Sequence, residues 1–558
     1  MKHLLQVLAI VALFLTGYTA KAQMSYGGEP YSFKNTISQV VPTIEIEALD
    51  AEALLAEDAE KTDKGHALRI GVTKDVNYTI SNSGRMDILP DGARVWRLAF
   101  HMEDATFVSM YFSTFSIPDG AELFFYTPDR EFVIGKFINK NQMEDGSFYP
   151  QDIPGDEVVV EYYEPANVAF EGRLTISEIS QGYYDFFHIK SIEGSIGSAE
   201  GNCHPNAICY DQVWHENPND GMWRQQINSV VCYTMSSGGY IYMCSGAMIN
   251  NTANNFEPYL LTANHCYEGT PSTWKFYFKY QATSCSGTNG TTLKNATGAT
   301  VLARDNGDSS SDFMLLKITG TINASSFDIF FAGWDLSTSA PATPTSCGAI
   351  HHPGGDIKKF SVPQHINNGS SYGYPKFWAV NWAAATGATE GGSSGSPLFN
   401  KKGLIVGQLY AGSSSCSYPS GYDYYGKISN SWTNNNNSSN AKKLKPWLDP
   451  NNTINDNNLS LQGRWMPGAP SGISSYETAS DLRVFPNPSN GMITISGNYN
   501  EGNGICNVYD MMGNLVISKS VSLNTETTLN LVSLSPGMYL LEVSENNNVY
   551  RSKILISK

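Results

Sequence analysis

The chain has 558 residues, so a prior of roughly 150 residues per domain predicts three or four folded units. Its 52 acidic residues exceed its 36 basic ones and give a formal charge of −16. That balance argues against non-specific nucleic-acid binding, which needs a basic surface to neutralise phosphates. Only 16% of residues are charged while 12% are aromatic, which excludes a largely disordered chain. We expect a soluble, multi-domain protein rich in short β-strands.

Residues 1–22 have the pattern of a secretory signal peptide. Lys2 and His3 precede an apolar run at residues 4–15, and the small residues Ala20 and Ala22 stand just before Gln23. The apolar run is too short to span a bilayer comfortably, which favours a cleaved signal over a retained anchor. No later segment has the length and apolar character of a membrane span. We therefore predict export, with no transmembrane segment.

Residues 23–190 predict a β-rich unit without evident chemistry. An acidic patch at residues 44–63 carries Leu and Ala at helix-like intervals. From residue 70 onward, short apolar and aromatic runs alternate with Pro-Asp-Gly turn signals at residues 90–92 and 118–120. The pattern is typical of a compact, sandwich-like arrangement. The predicted strands are residues 95–102, 106–117, 121–126, 131–138 and 157–163.

Residues 191–463 contain eight of the nine cysteines, between Cys203 and Cys416; Cys506 is the ninth. In an exported protein this clustering indicates one disulfide-bonded domain. Zinc binding is disfavoured, because no two cysteines have the close C-x-x-C spacing of structural zinc sites. Strands recur about every ten residues, as in sandwiches and barrels, and one helix is predicted at residues 440–448, before Pro450.

The remaining residues predict a linker and a last β unit. Residues 464–480 include the run PGAPSG, whose Pro and Gly content is typical of a linker. Residues 481–558 form another small β unit, with strands expected at residues 492–496 and 539–543.

Three segments of the central region together suggest nucleophilic catalysis. They are LTANHC at residues 261–266, SDFMLL at 311–316 and EGGSSGSP at 390–397. A serine hydroxyl is a poor nucleophile until a base takes its proton, a role for His265 on Ser394, with Asp312 orienting the imidazole. The backbone N–H groups of Gly392 and Ser394 would form the oxyanion hole. Each segment alone is equally typical of ordinary structure, but their order, His then Asp then Ser, favours catalysis.

The central region resembles the chymotrypsin-fold serine peptidases, and specifically bacterial lysyl endopeptidase. The resemblance runs from about residue 203 to residue 450, the size of one such domain, and implies two antiparallel β-barrels with the active site in the crevice between them. The protein as a whole is then expected to be all-β. The shared stretches are residues 261–266, 311–316, 332–335, 350–353, 389–397, 407–409 and 447–450.

The resemblance also implies three disulfide bonds. The remaining Cys232 and Cys347 lie outside the family pattern and are candidates to pair with each other, which leaves Cys506 unpaired. The implied pairs are Cys203–Cys416, Cys209–Cys285 and Cys244–Cys266.

The resemblance further implies where the substrate side chain binds. Ala388, six residues before the nucleophile, is not acidic, but the lysyl endopeptidases carry their acid in a D-x-Y-G-[KR] segment, matched here by DYYGK at residues 423–427. Asp423 would pair with a substrate cation; the alternative is a surface Asp in a Tyr-rich loop. Tyr410 stands where that family has His, and its substrate-flanking Trp has no clear counterpart between Phe360 and Tyr374. Arg cleavage therefore stays open.

Neither a metal nor a cofactor is expected. His351 and His352 have side chains that ligate metals, but adjacent side chains rarely face one ion, so a structural role is favoured.

Two features concern maturation and export. Ser393 stands where chymotrypsin-type zymogens have the Asp of their activation switch, so residues 23–190 are predicted to be a propeptide that assists folding or blocks the cleft, with Lys190–Ser191 as a candidate self-cleavage bond. Residues 481–558 carry VFPNP, VYDMMG and LSPGMY in that order and resemble the C-terminal sorting domain of type IX secretion cargo. This implies outer-membrane passage with that machinery as a partner, followed by release or surface attachment; the alternative is a small binding module.

Two functions from different classes remain open. The favoured one is a secreted, monomeric serine endopeptidase that cuts proteins and peptides after Lys through an acyl-enzyme and is made as a proenzyme. The alternative is an adhesin or binding protein that uses an inactive protease fold. The joint presence of His265, Asp312 and Ser394 favours the enzyme. A pocket for acidic or small residues is disfavoured electrostatically by Asp423.

Overall fold

The computed structural model describes most of the chain, in two compact units. The described residues between 25 and 467 form the first unit, and those between 483 and 557 form the second. The predicted signal peptide, the Lys190–Ser191 bond and most of the predicted linker lie outside the described residues. The described residues are 25–60, 65–187, 203–209, 222–287, 290–292, 294–305, 310–322, 327–341, 347–383, 386–434, 437–467, 483–496, 503–509, 515–522, 526–545 and 548–557.

The predicted propeptide region forms strands and two short helices, Tyr31–Lys34 and Ala51–Ala59. Asp50 begins the second helix by accepting a hydrogen bond from the Ala53 N–H, as N-cap aspartates do. The five strands predicted here are confirmed to within a few residues. The strands are β1 (Thr43–Ile46), β2 (Leu68–Thr79), β3 (Arg85–Ile88), β4 (Arg94–Met102), β5 (Phe107–Ser116), β6 (Glu122–Tyr126), β7 (Val133–Phe137), β8 (Ile153–Pro154), β9 (Glu157–Glu164) and β10 (Arg173–Gly182).

Strand β2 links this region to the one that follows it. It pairs antiparallel with β10 on one side and with Tyr240–Met248 on the other, so one sheet runs through both regions. Strands β1, β3, β4, β6, β7 and β9 form a second sheet. Apolar side chains of both sheets, Phe112 and Phe125 among them, pack in one core. The predicted propeptide therefore belongs to the same compact unit as the cysteine-rich region.

The cysteine-rich region contains two mainly antiparallel sheets, as the all-β, double-barrel fold predicts; one pair, β19 with β25, is parallel. Strands β11 to β17 continue the sheet that contains β2. Strands β19 to β27 form a separate nine-stranded sheet, and β18 pairs with β28. The strands are β11 (Val230–Ser237), β12 (Tyr240–Met248), β13 (Tyr259–Ala263), β14 (Lys275–Tyr277), β15 (Asn295–Thr297), β16 (Ala299–Arg304), β17 (Phe313–Ile318), β18 (Phe330–Phe331), β19 (Trp334–Asp335), β20 (Gly348–His351), β21 (Lys359–Ser361), β22 (Pro363–Asn368), β23 (Phe377–Trp382), β24 (Pro397–Phe399), β25 (Ile405–Gly412), β26 (Asp423–Lys427), β27 (Ser460–Leu461) and β28 (Arg464–Trp465).

The helix predicted at residues 440–448 is wrong as one element. A 3₁₀ turn at Asn440–Lys442 and a helix at Lys445–Leu448 are separated by Lys443, whose backbone is extended. Pro446 explains the break, because proline lacks an N–H and suits the first turn of a helix rather than its interior. Two further α-helices of this region are Met222–Ile227 and Ile428–Thr433.

Three disulfide bonds join the pairs that the resemblance implies, Cys203–Cys416, Cys209–Cys285 and Cys244–Cys266. The proposed bond between Cys232 and Cys347 is wrong. Cys232 is a free thiol packed with Met243 and Tyr277, whereas Cys347 packs in a different apolar cluster with Trp378. Burial raises the pKa of the Cys232 thiol well above its usual value.

The second compact unit is a small β-structure. Its strands form one sheet of β29, β30 and β33 and another of β31, β32, β34 and β35, and both contribute to one apolar core. Among the described residues, no helix is long and apolar enough to cross a membrane. The strands are β29 (Arg483–Phe485), β30 (Met492–Ser496), β31 (Asn503–Tyr509), β32 (Leu515–Ser522), β33 (Thr527–Asn530), β34 (Gly537–Glu545) and β35 (Asn548–Ile556).

Candidate active site

His265 lies in a 3₁₀ turn, Asn264–Cys266, directly after strand β13. That strand pairs with β12 on one side and with β17 on the other. The Cys244–Cys266 disulfide bonds the turn to β12, so the backbone around the imidazole is held by a covalent bond as well as by the sheet.

Asp312 immediately precedes β17 and is hydrogen-bonded to His265. Its Oδ2 lies 2.6 Å from His265 Nδ1, and its Oδ1 accepts the His265 backbone N–H at 3.0 Å. The backbone φ of Asp312 is +53°, a conformation that non-glycine residues rarely adopt and that recurs at functional sites. Burial raises the pKa of the Asp312 carboxyl, while the contacts with His265 act in the opposite direction. Nδ1 of His265 therefore faces Asp312, and Nε2 is the ring nitrogen that points away from it.

The loop before Pro397 places Ser394 against strands β12 and β13. The Ser394 carbonyl accepts the Ser245 N–H at 2.9 Å, and the Gly392 carbonyl accepts the Ser245 hydroxyl at 2.8 Å. Gly395 packs so closely on Thr262 that a Cβ there would overlap the threonine hydroxyl. Ser394 thus lies beside β13, the strand that leads into the His265 turn. Its side chain is buried, and His265 Nε2 has no hydrogen-bond partner within the described part of the chain.

The glycines of this loop adopt backbone conformations that other residues disfavour. Gly392 has φ +86° and Gly395 has φ +79°, both in the left-handed region. A Cβ on Gly392 would also lie 2.7 Å from the His352 carbonyl oxygen. Glycine is therefore required at the position whose N–H is predicted to stabilise an oxyanion.

Asp423, the first residue of β26, is fully buried and surrounded by hydrogen-bond donors. Its Oδ2 accepts from Trp382 Nε1 at 2.6 Å, from Thr389 Oγ1 at 2.6 Å and from Ser414 Oγ at 2.5 Å. These donors replace the water that a carboxylate loses on burial. Thr389 precedes Ser394 by five residues, so the acid lies behind the loop that carries the serine. The surface-loop alternative for Asp423 is wrong.

Several side chains that hold these residues were not predicted from the sequence. Gln408 Nε2 donates to the backbone carbonyls of Ser311 at 2.6 Å and of Asp312 at 3.3 Å, which positions the Asp312 loop. The Gly-Gln-Leu stretch at residues 407–409 was a signal for it. The donors around Asp423 come from three separate segments, and no local pattern in the sequence marks them.

Tyr410 packs between His265 and Phe377, with ring centroids 6.0 Å and 5.0 Å away, respectively. Phe377 and Tyr410, together with residues 373–376, line a cavity of about 220 Å³. No counterpart of the family's substrate-flanking tryptophan is evident in the sequence between Phe360 and Tyr374. In the structure, Phe377, just beyond that interval, is the aromatic residue that contacts Tyr410.

The two adjacent histidines face different surroundings. His351 is hydrogen-bonded through its two ring nitrogens to the hydroxyls of Ser393 and Ser361, at 2.7 Å and 2.8 Å. His352 Nδ1 donates to the Asp356 carbonyl at 2.8 Å, and burial lowers the pKa of its ring to about 3. Both contact patterns are those of structural histidines.

The cysteine-rich region and the C-terminal unit both match known protein families. Residues 197–426 match the family described as lysyl endopeptidase, C-terminal domain, and residues 483–557 match the secretion system C-terminal sorting domain. A lysyl endopeptidase from Pseudomonas aeruginosa is 29% identical over 371 residues, covering 62% of this chain and 73% of that protein. The chain is a serine endopeptidase similar to lysyl endopeptidase. It is exported, since it carries a sorting domain, and is extracellular or attached to the cell surface.

Other similarities are narrower. An endo-acting ulvan lyase from Formosa agariphila is 34% identical over 79 residues, 14% of this chain and 15% of that protein. Mouse neuropsin, a serine protease, has a TM-score of 0.27 at 16% identity and covers 38% of this chain and 94% of its own. A TM-score this low does not support a functional assignment. The sequence matches to lysyl endopeptidase do, and they favour an enzyme over an inactive binding protein.

Proposed function

We propose that this serine endopeptidase hydrolyses peptide bonds on the C-terminal side of Lys, with His265, Asp312 and Ser394 as its catalytic residues. The proposed specificity rests on the position of Asp423, whose carboxylate is fully buried behind the serine loop. Trp382, Thr389 and Ser414 donate hydrogen bonds to this carboxylate without adding charge. A substrate ammonium beside the carboxylate would form a buried ion pair that a neutral side chain cannot form.

The proposed mechanism follows from the hydrogen bond between His265 and Asp312. With Nδ1–H donated to the carboxylate, Nε2 accepts the Ser394 hydroxyl proton while Oγ attacks the substrate carbonyl carbon. The N–H groups of Gly392 and Ser394 stabilise the resulting oxyanion. The protonated imidazole then gives its proton to the leaving amine, and an acyl-enzyme remains. Water deprotonated by the same imidazole releases the acid and restores Ser394.

The maturation of the enzyme is part of the proposal. Residues 1–22 direct export, residues 23–190 are a propeptide, residues 191–463 are the protease and residues 481–558 direct passage through the type IX machinery. The match of residues 483–557 to a sorting domain supports the last of these roles. The pairing of β2 with β12 supports the propeptide role, because it attaches residues 23–190 to the protease.

The test is a set of matched peptides that differ only in Lys, Arg or Met before the cut bond, given to the processed enzyme. We expect Lys cleavage to dominate, and Ser394→Ala to lose at least about 10⁴-fold in kcat. Asp423→Asn should lower kcat/KM for the Lys peptide by about 100-fold or more, because a buried charge then lacks its partner. Asp456→Asn, an exposed residue with the same change in charge, is the control.

Two outcomes would change the proposal. Equal cleavage after Lys and Arg would extend the specificity to both cations, whereas equal cleavage of all three peptides would remove Asp423 from the pocket. If Asp423→Asn and Asp456→Asn behave alike on the Lys peptide, the role of the buried carboxylate is refuted.

A further inference from the structure

Strand β2, Leu68–Thr79, occupies the edge of β12 that leads to the candidate active site. The register pairs Leu68 with Met243 and Arg69 with Tyr242. Two residues beyond Met243, Ser245 holds the serine loop through the hydrogen bonds described above. A segment of the predicted propeptide is thus bound as an extra strand close to Ser394.

The first residue of β2 packs on the serine loop itself. A Cβ on Gly391 would lie 3.1 Å from Leu68 Cδ1, and one on Gly392 would lie 3.1 Å from Met243 Cε. Leu68 and Met243 therefore cover the two glycines that precede the catalytic serine. A peptide whose carbonyl oxygen sits at the Gly392 N–H must continue past these side chains.

Arg69 is held by acidic residues of the preceding helix, Ala51–Ala59. Its guanidinium donates to Glu57 at 2.9 Å and to Asp58 at 3.0 Å, and it lies 4.9 Å from the centre of the Tyr240 ring. Tyr183 completes the arrangement, since its hydroxyl accepts from Arg69 Nε at 3.0 Å and donates to Asp58 at 2.5 Å. The arginine side chain is only 5% exposed.

Arg69 has a charge that the proposed specificity pocket would attract. Its guanidinium binds Glu57 and Asp58 instead, which makes it unavailable to Asp423. The same contacts attach β2 to helix Ala51–Ala59 and to Tyr183, whose N–H donates to the Ile70 carbonyl at 3.1 Å. Residues on both sides of β2 in the sequence therefore hold it on the edge of β12.

We propose that β2 is an inhibitory strand and that Glu57, Asp58 and Tyr183 form an acidic clamp on Arg69 that holds this strand across the active site. The inference rests on the proposed function, because it assigns the occupant of that cleft. The occupant is a segment of this chain, bound by main-chain pairing to β12 and by Leu68 on Gly391. Opening the cleft requires the clamp to release Arg69.

The test uses the full chain with Ser394→Ala, which prevents self-cleavage, and a fluorescent peptide containing one Lys. Glu57→Gln with Asp58→Asn should increase peptide affinity at least tenfold, as measured by fluorescence anisotropy. Tyr183→Phe, which keeps the ring, should give a smaller increase. The control is Glu29→Gln with Glu171→Gln, which removes two charges from exposed acidic residues that do not contact β2 and should leave the affinity unchanged.

Hydrogen exchange shows whether the strand itself is released. Amides of residues 68–72 and 240–243 should exchange faster in the clamp variants, while amides of β13 and β17 keep their protection. Unchanged exchange and affinity in both clamp variants would overturn the inference. If the clamp variants unfold altogether, Tyr183→Phe alone decides between the outcomes.

Failure of the proposed function gives a different result. The processed wild-type enzyme is given the same Lys peptide, and loss of cleavage there refutes the specificity whatever the clamp variants do. Cleavage by the processed enzyme, with no response to clamp substitution in the full chain, refutes only the inhibitory strand.

Discussion

A buried ion pair joins the predicted propeptide to the protease region. Asp152 Oδ1 lies 2.5 Å from Lys275 Nζ, and the two side chains are 1% and 4% exposed. Lys275 also donates to Ser109 Oγ at 2.6 Å, and Asp152 accepts from the Tyr277 hydroxyl at 2.7 Å. Asp152→Asn keeps the shape of the side chain and removes its charge, so it isolates the electrostatic part of this contact.

The expected cost follows from the burial of Lys275. Burial lowers the pKa of its ammonium and Asp152 opposes that effect, so the lysine depends on its partner to stay charged. Removing one member of a buried pair costs about 3–5 kcal/mol, because the other charge is left in a dry environment. We expect Asp152→Asn to lower the free energy of unfolding by about 3 kcal/mol. Adding Lys275→Met should restore most of that loss.

The assay is urea unfolding of the full chain in the Ser394→Ala background, followed by tryptophan fluorescence. Asp328→Asn is the matched control, since Asp328 forms a 3.0 Å pair with Lys279 while 24% exposed. That substitution should cost no more than about 1 kcal/mol. The reasoning is refuted if Asp152→Asn is as mild as the control, or if Lys275→Met worsens it.

Three further substitutions test other parts of the structure. His352→Gln should flatten the acid dependence of stability. Burial lowers the His352 pKa to about 3, so between pH 6.5 and 3 the unfolded state binds a proton that the native state does not. Native stability therefore falls by up to about 1.4 kcal/mol for each pH unit of acidification. Urea midpoints at pH 7, 5 and 4 check this, and a variant whose stability depends on pH as steeply as the wild type would contradict it. Gly392→Ala should lower kcat more than about 100-fold by displacing an oxyanion donor, whereas Gly373→Ala, at φ +83° with open space around it, should spare kcat. Trp382→Phe removes a donor to the buried carboxylate of the pocket and should lower kcat/KM for Lys peptides about tenfold, with Met peptides unaffected.

The local pattern was sufficient for most strands but not for every element. The prediction at residues 157–163 agrees with β9, Glu157–Glu164, because a run of β-branched and aromatic residues favours a strand through local side-chain preferences alone. The helix predicted at residues 440–448 is interrupted in the structure, because Pro446 fits the first turn of a helix and not its interior. The bond expected between Cys232 and Cys347 followed only from their being left over after the other pairs. Being left over says nothing about the distance between the two sulfur atoms.

By itself the sequence determined the all-β class and the His265, Asp312 and Ser394 candidates, because each candidate stands in a short motif that can be recognised without the fold; the resemblance to lysyl endopeptidase pointed to Asp423. Only the tertiary structure decided what surrounds them. The donors to Asp423, the ion pair of Asp152 with Lys275 and the contact of Leu68 with Gly391 join residues that are far apart in sequence. Such contacts depend on strand register and packing between segments, which no local pattern encodes.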